Sequence, residues 1–208
     1  MSEARDQEFM RRAIDLARDQ MGKTWPNPAV ACVVVKDGEM VAEAATAPGG
    51  RPHAEEQAVP AAGDRAKGAT AYVTMEPCGA RSSGRTSCAQ YLIEAGVERV
   101  VIACLDPSPF AAGRGVERVR AKGLEVETGV LSDEAAILYE GYLHRLESGR
   151  PMVRISENGD SFDGQFAASA KADLATELKR LGEAGYTRLW TAPGPLADAL
   201  REQGLLTE

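Results

Sequence analysis

His53, Glu55, Cys78 and Cys88 are the residues of this sequence whose types and spacing could support hydrolytic chemistry. One imidazole and two thiolates are ligands that Zn²⁺ accepts, and three protein ligands leave a fourth tetrahedral position open for water. Glu55 lies two residues after His53, so it can stand beside the metal without binding it and can accept a proton there. The sequence therefore predicts a hydrolytic zinc site with Glu55 as its proton carrier.

The combination of His-x-Glu with a later Glu-Pro-Cys is typical of zinc deaminases that replace the amino group of a heterocyclic base. Nine residues separate Cys78 from Cys88, where the short form of this signature has two, so the intervening loop must carry something more. Each residue alone has a plainer interpretation: His53 as a surface histidine at a helix start, and Glu55 as a first-turn acid. Their joint occurrence favours the zinc site.

Cys32, Cys104 and His144 are the remaining cysteines and histidine of the sequence. Both cysteines lie inside apolar strand runs and are interpreted as small core residues rather than ligands. His144 lies in a charged helical stretch and is interpreted as a solvated residue. Unpaired thiols of this kind fit a reducing compartment, so the protein is expected to be cytoplasmic.

Composition limits the possible partners of the chain. It has 208 residues, a formal net charge of −7 at pH 7 and 44% hydrophobic residues. No basic face is evident, which disfavours nucleic acid as a partner. The first residues are charged and helix-patterned, with no apolar run of signal-peptide or membrane-span length, so no membrane association is expected.

Alternation of strands and helices predicts an α/β layered domain with a mixed sheet. Apolar runs predict strands near 29–35, 40–45, 69–75, 97–104 and 124–128, the first two forming a hairpin through Asp37-Gly38. Helical spacing predicts helices near 6–20, 53–62, 88–95, 115–122 and 132–147. Residues 1–149 are predicted to form this domain, and residues 150–208 a short C-terminal α/β appendage with a strand near 151–155, a helix near 174–181 and a strand leading into another helix from 187.

Through its site residues and several longer stretches, the chain resembles the bacterial bifunctional riboflavin-biosynthesis deaminases/reductases, above all their N-terminal deaminase domain. The resemblance runs from about Glu8 to Ala167. It is carried by the stretches Thr24-Trp25-Pro26-Asn27-Pro28, Pro48-Gly49-Gly50-Arg51-Pro52-His53-Ala54-Glu55, Tyr72-Val73-Thr74-Met75-Glu76-Pro77-Cys78, Gly84-Arg85-Thr86 and Asp106-Pro107-Ser108-Pro109, and by Ala112-Gly113-Arg114-Gly115. The long spacing to Cys88 is typical of that family, apart from one additional residue.

This resemblance implies a three-layer α/β/α fold of the cytidine deaminase-like superfamily and a role for each site residue. It implies that His53, Cys78 and Cys88 hold zinc and that Glu55 shuttles protons. It also implies that Asn27 and the Ala54 amide orient a pyrimidine ring, and that Arg85 helps to hold a ribose phosphate, which a guanidinium can grip with two hydrogen bonds. Asn27 could equally be a turn residue between two prolines, and Arg85 a solvated loop charge.

The sequence departs from the family pattern at Ala80, where the family usually carries histidine, and at Thr86-Ser87, where it usually carries Pro-Pro. Residues 151–167 resemble the start of the reductase domain, with Ser161-Phe162-Asp163-Gly164 in place of its Ser-Leu-Asp-Gly motif, and 189–207 resemble a later strand and helix. Most of the intervening domain is missing, and no glycine-rich dinucleotide loop is present, so NADPH binding and reduction are not expected.

Three functional hypotheses remain from the sequence. The leading one is zinc-dependent hydrolytic deamination of the diaminohydroxyphosphoribosylamino-pyrimidine intermediate of riboflavin biosynthesis. The second keeps the chemistry but takes another pyrimidine or purine base or nucleoside, because Ala80 and the loop insertion lie where specificity is set. The third is a non-catalytic, zinc-stabilised binding protein, against which Glu55 argues. By analogy with deaminases of this fold, we expect a homo-oligomer.

Overall fold

The computed structural model describes residues 2–80, 84–108 and 113–207. They form two compact units that are not continuous in sequence. The first unit contains the described residues of Met1–Asp19, Val30–Ala47 and Arg51–Ile137, and the second contains those of Gln20–Ala29, Pro48–Gly50 and Leu138–Glu208. In the described residues, no helix has both the length and the apolar character that a membrane crossing requires.

A five-stranded mixed sheet forms the centre of the first unit. Its strands are β1 (Ala31–Lys36), β2 (Glu39–Ala45), β3 (Thr70–Met75), β4 (Arg99–Cys104) and β5 (Glu125–Thr128). They lie in the order β2-β1-β3-β4-β5, with β1 antiparallel to both neighbours and β3, β4 and β5 parallel. The predicted hairpin is present, because Asp37 and Gly38 both adopt the positive φ that a tight two-residue turn requires.

Helices cover both faces of this sheet. They are α1 (Glu3–Arg18), α2 (Ala54–Ala62), α3 (Cys88–Glu94), α4 (Arg114–Ala121) and α5 (Ser132–Ala136). Residues of α2, α3 and α4 share one core with alternate strand residues such as Val73 and Ile102. Tyr72 points to the opposite face, as the pleat requires, and its ring lies 5.3 Å from that of Phe9 on α1. The predicted three-layer α/β/α fold with a mixed sheet is confirmed.

The second unit is a smaller α/β structure. Its elements are α6 (Glu140–Ser148), β6 (Met152–Ile155), β7 (Gly164–Gln165), α7 (Leu174–Glu183), β8 (Arg188–Thr191) and α8 (Pro195–Glu202). The strands form a parallel sheet in the order β6-β8-β7 over a core that includes Phe166 and Leu189. Residues 20–29 belong to this unit, and the Trp25 ring stacks on Tyr186 at 4.2 Å.

The prediction of one helix over 132–147 is wrong, because α5 and α6 are separated by a turn at residues 137–139. The break falls where the chain leaves the first unit and enters the second. Leu138 and Tyr139 are buried there, so packing interrupts a local pattern that would otherwise continue as one helix.

Candidate metal centre

His53, Cys78 and Cys88 lie together in the first unit. One potential ligand atom from each lies within 4.8 Å of the others. His53 Nδ1 is 3.3 Å from Cys88 Sγ, and the Cys88 backbone N–H donates to Cys78 Sγ over 3.2 Å. Zinc bonds of about 2.0–2.3 Å at tetrahedral angles separate neighbouring ligands by roughly 3.5–3.8 Å, so this donor set fits one zinc ion.

Two helix starts and one strand end position these ligands. His53 is the N-cap residue of α2, and its backbone N–H donates to the Glu56 carboxylate over 2.7 Å. Cys88 is the first residue of α3, whose N-cap Ser87 accepts a hydrogen bond from the Gln90 N–H. Cys78 follows the end of β3 by three residues. The helix N-termini present N–H groups and partial positive charge to the centre, which favours thiolates there.

Glu55 is the buried acid of this centre, with 2% of its surface exposed, and it lies in the first turn of α2. Burial raises the pKa of its carboxyl group, the nearby Cys78 raises it further, and a hydrogen bond with Cys88 acts in the opposite direction. The hydrogen bond to Cys78, followed by burial and the charge of Glu55, raises the pKa of the Cys88 thiol well above its usual value. A bound divalent cation reverses such a shift, because a coordinating thiol is deprotonated.

The residues predicted to contact the substrate differ in their burial and in the unit to which they belong. Ala54 is fully buried as the first residue of α2, where backbone N–H groups have no acceptor within the helix. Arg85 is exposed in the segment before α3. Asn27 belongs to the second unit, where its Nδ2 donates to the Gly50 carbonyl over 2.9 Å. The Pro109 and Ala112 positions of the family motifs lie outside the described residues.

The three residues that the sequence analysis excluded as ligands, Cys32, Cys104 and His144, do not belong to the metal cluster. Cys32 is fully buried in β1, and burial raises the pKa of its thiol well above the usual value. Cys104 ends β4 half-buried, with its thiol 3.5 Å from the Ser132 carbonyl oxygen. His144 is half-buried in α6 rather than solvated, and burial lowers the pKa of its ring.

Known proteins with similar sequences agree on the family. A family model described as the cytidine and deoxycytidylate deaminase zinc-binding region matches residues 3–104. The riboflavin biosynthesis protein RibD of Escherichia coli is 46% identical over 166 residues, which are 79% of this chain and 44% of that protein. RibD of Haemophilus influenzae is 45% identical over 203 residues, which are 94% of this chain and 54% of that protein.

Over residues 3–104, the chain is similar to the zinc-binding deaminases of this family. A solved structure of Acinetobacter baumannii RibD is similar at a TM-score of 0.84 and 27% identity, over 98% of this chain and 85% of that chain. The predicted resemblance to the riboflavin-biosynthesis deaminases, the zinc-dependent deaminase class and zinc as the metal are thereby confirmed. The chain spans about half the length of the curated relatives that it matches.

Sequence reasoning missed the role of Glu76 in the first unit. Its carboxylate is buried, with 5% of the residue exposed, and it accepts hydrogen bonds from backbone N–H groups around the start of α4. The donors are Asp106, Gly113, Gly115 and Val116, at 3.4, 3.1, 2.9 and 3.1 Å. An acid followed by proline at the end of a buried strand, with Gly-Arg-Gly further along, was the available signal.

Proposed function

We propose that this chain is a zinc-dependent deaminase that hydrolyses the exocyclic amino group of a phosphoribosylamino-pyrimidine of riboflavin biosynthesis. The observation that supports this most strongly is the grouping of one imidazole and two cysteine sulfurs beside a buried carboxylate that the metal does not need. In this proposal His53, Cys78 and Cys88 hold the ion, and Glu55 carries the proton. A site that only stabilised the fold would have no use for a buried acid beside an open coordination position.

An ion held by His53, Cys78 and Cys88 would polarise a water molecule and lower its pKa, which would make a strong nucleophile available near neutral pH. Glu55 accepts a proton from the attacking water as the water oxygen bonds to the ring carbon that bears the amine. Glu55 then gives that proton to the amino nitrogen, the carbon–nitrogen bond breaks, and ammonia leaves. The remaining proton of the added oxygen moves to the ring nitrogen, which leaves a ring carbonyl in place of the amine. Burial of Glu55 among α2 and the two cysteines keeps bulk water from competing for this proton.

Ala54 and Asn27 are proposed to orient the ring, and Arg85 to bind the phosphate. The Ala54 N–H is suited to a ring carbonyl or nitrogen, because it has no partner within α2. The Asn27 amide keeps its oxygen and one N–H after donating to Gly50, so it still offers both an acceptor and a donor. An exposed arginine such as Arg85 is suited to a phosphate that remains partly in water.

The organisation around this site also remains a proposal. Residues 1–149 are proposed to form the deaminase domain and residues 150–208 a remnant of a reductase domain. The partner is then a small phosphoribosyl-pyrimidine, and we propose, by analogy with deaminases of this fold, that the protein acts as a cytoplasmic homo-oligomer. The high identity to RibD proteins supports the substrate class.

The test is ammonia release by zinc-loaded protein supplied with the diaminohydroxyphosphoribosylamino-pyrimidine. We expect turnover by the parent and by Glu134→Gln, a control at an exposed acid of the same unit. Glu55→Gln should retain one zinc per chain and lose turnover by several orders of magnitude, because the proton carrier is gone. Undiminished turnover by Glu55→Gln would refute the role given to that residue.

A second substrate class is favoured by one observation, the exposed Ala80 where the family usually carries a histidine near the substrate. A panel of free bases, nucleosides and nucleotides of cytosine, adenine and guanine separates the two candidates. Absence of turnover with the phosphoribosyl-pyrimidine, together with turnover of a member of this panel, would move the substrate assignment while keeping the chemistry.

A further inference from the structure

Helix α4 contacts the segment that carries Cys78 on both sides of that residue. Before Cys78, the Glu76 carboxylate accepts hydrogen bonds from the Gly115 and Val116 N–H groups in the first turn of α4. After Cys78, the Gly79 carbonyl accepts a 2.6 Å hydrogen bond from Arg118, one turn further along α4. Cys78 is therefore held between two attachment points on one helix.

The approach of α4 to this segment is close enough to require glycine. A Cβ atom at Gly115 would lie 1.8 Å from the Pro77 carbonyl oxygen. A Cβ at Gly79 would lie 2.9 Å from the Arg114 backbone. The first turn of α4 thus packs directly on the Pro77–Gly79 backbone, so a shift of this helix must move Cys78 as well.

Arg118 also connects this segment to the helix that begins with Cys88. One guanidinium nitrogen donates to Gly79, and the other donates to the Gln90 side-chain oxygen over 2.6 Å. Gln90 lies two residues after Cys88 in α3. A single planar side chain therefore bridges the two cysteine-bearing segments, a geometry suited to the rigid fork of arginine.

We propose that Glu76 and Arg118 are positioning residues of the metal centre, which fix the Cys78 sulfur relative to that of Cys88 and so set how tightly the centre retains zinc. This rests on the proposed function only in taking both cysteines as ligands. Neither residue belongs to the cluster of His53, Cys78 and Cys88 that could hold the metal. Groups that hold metal ligands in place affect metal affinity by about tenfold to hundredfold when they are removed.

The test compares the 208-residue parent with Glu76→Gln, Arg118→Met, Arg118→Lys and Arg120→Met. In Glu76→Gln, an NH₂ group replaces one of the two carboxylate oxygens. Backbone N–H groups that donate to that oxygen in the parent would then face another donor. Arg118→Met keeps an extended side chain but removes both hydrogen bonds. Arg120→Met is the matched control, since Arg120 is an exposed arginine of the same helix. Arg118→Lys tests rescue, because its single ammonium keeps the charge without the fork.

Three measurements separate positioning from a general effect on folding: the rate of zinc transfer to a chromophoric chelator, the visible spectrum of the Co²⁺-substituted protein, and the unfolding midpoint of the metal-free protein. We expect Glu76→Gln and Arg118→Met to release zinc about tenfold to hundredfold faster, with an altered Co²⁺ spectrum. The metal-free unfolding midpoint of Arg118→Met should stay near that of the parent, whereas Glu76→Gln should lower it, because buried backbone N–H groups lose an acceptor. Arg118→Lys should lie between the parent and Arg118→Met, and Arg120→Met should match the parent.

The proposal is overturned if Arg118→Met keeps the zinc-release rate and the Co²⁺ spectrum of the parent. If Glu76→Gln fails to fold, the result for Arg118→Met alone tests the proposal. It is also overturned if faster zinc release from Arg118→Met merely accompanies an equal fall in its metal-free unfolding midpoint, which would show a structural role only. None of these measurements uses a substrate, so a wrong substrate assignment would leave them unchanged.

Discussion

Asp6 offers the sharpest test of how the first unit is held together. This buried residue of α1 accepts two hydrogen bonds from the Arg99 guanidinium, at 2.8 and 3.0 Å, and one from the Tyr72 hydroxyl at 2.6 Å. The Asp6 and Arg99 side chains are only 4% and 11% exposed. Asp6→Asn preserves the shape of the residue while removing its charge and one acceptor, so it isolates the electrostatic contribution of this contact between helix and sheet.

The magnitude follows from what remains around Arg99. Removing one partner of a buried ion pair costs about 3–5 kcal/mol when the other charge is left uncompensated. Arg99 keeps Glu125 and Glu127 as partners, both more exposed than Asp6. We therefore expect Asp6→Asn to lower the free energy of unfolding by about 2–3 kcal/mol. This is less than the cost of leaving a buried charge without any partner. Asp15→Asn, which disturbs an exposed pair with Arg18 on the same helix, should cost no more than about 0.5 kcal/mol.

The pH dependence of this penalty has a defined sign. Burial alone would raise the pKa of Asp6, but hydrogen bonds from Arg99 and Tyr72 outweigh it and hold the pKa below its usual value. A folded-state pKa below the unfolded one gives a contribution that is complete above about pH 4 and is lost as the pH falls through the folded value. The difference between the parent and Asp6→Asn should therefore narrow below about pH 4.

Urea unfolding of the parent, Asp6→Asn and Asp15→Asn at a series of pH values from neutral downward measures both quantities. Two results would refute the reasoning. One is a penalty for Asp6→Asn no larger than that for Asp15→Asn at neutral pH. The other is a difference between Asp6→Asn and the parent that widens on acidification.

Three further predictions concern the metal centre. Gly115→Ala should lower the unfolding midpoint and speed zinc release, because the added methyl group would clash with the Pro77 carbonyl oxygen. The rate of zinc transfer to a chelator measures the effect on zinc release. Cys88→Ser should abolish stoichiometric zinc binding while Cys104→Ser retains one zinc per chain, and metal analysis of both purified proteins would contradict the ligand set if the two behaved alike. Removal of zinc with a chelator should lower the unfolding midpoint of the parent, since a ligand that binds the folded state stabilises it; an unchanged midpoint in calorimetry would show that the metal does not contribute to the fold.

Local patterns were sufficient to predict most elements of the fold. The apolar runs that became β1, β3 and β4 are buried in the sheet, and the Asp37-Gly38 turn is specified by two residues alone. His53, Glu55, Cys78 and Cys88 could be grouped from sequence because their chemical types share one use. Packing between distant segments could not be predicted in this way.

Glu76 and the interrupted helix show why local patterns have this limit. The hydrogen-bond donors to Glu76 lie 30 to 40 positions later in the chain, and nothing near Glu76 in sequence identifies them. The helical pattern over 132–147 continues through residues 137–139, although the chain changes unit there. Both outcomes depend on tertiary contacts that override local preference.

Two buried acids, Glu55 and Glu76, each lie two residues from a candidate metal ligand. Their surroundings indicate different roles. The Glu76 oxygens accept hydrogen bonds from four backbone N–H groups, so this carboxylate holds the backbone around the start of α4. Glu55 instead faces the sulfurs of Cys78 and Cys88, and burial with nearby negative charge raises the pKa of its carboxyl group. The position of Glu55 beside the two sulfurs suits a proton carrier, whereas the hydrogen bonds to Glu76 suit a structural acceptor. Glu55→Gln should therefore keep zinc and lose turnover, whereas Glu76→Gln should loosen zinc and retain turnover when the metal is supplied in excess. Loss of turnover by Glu76→Gln at full zinc occupancy would contradict this division and give Glu76 a part in the chemistry.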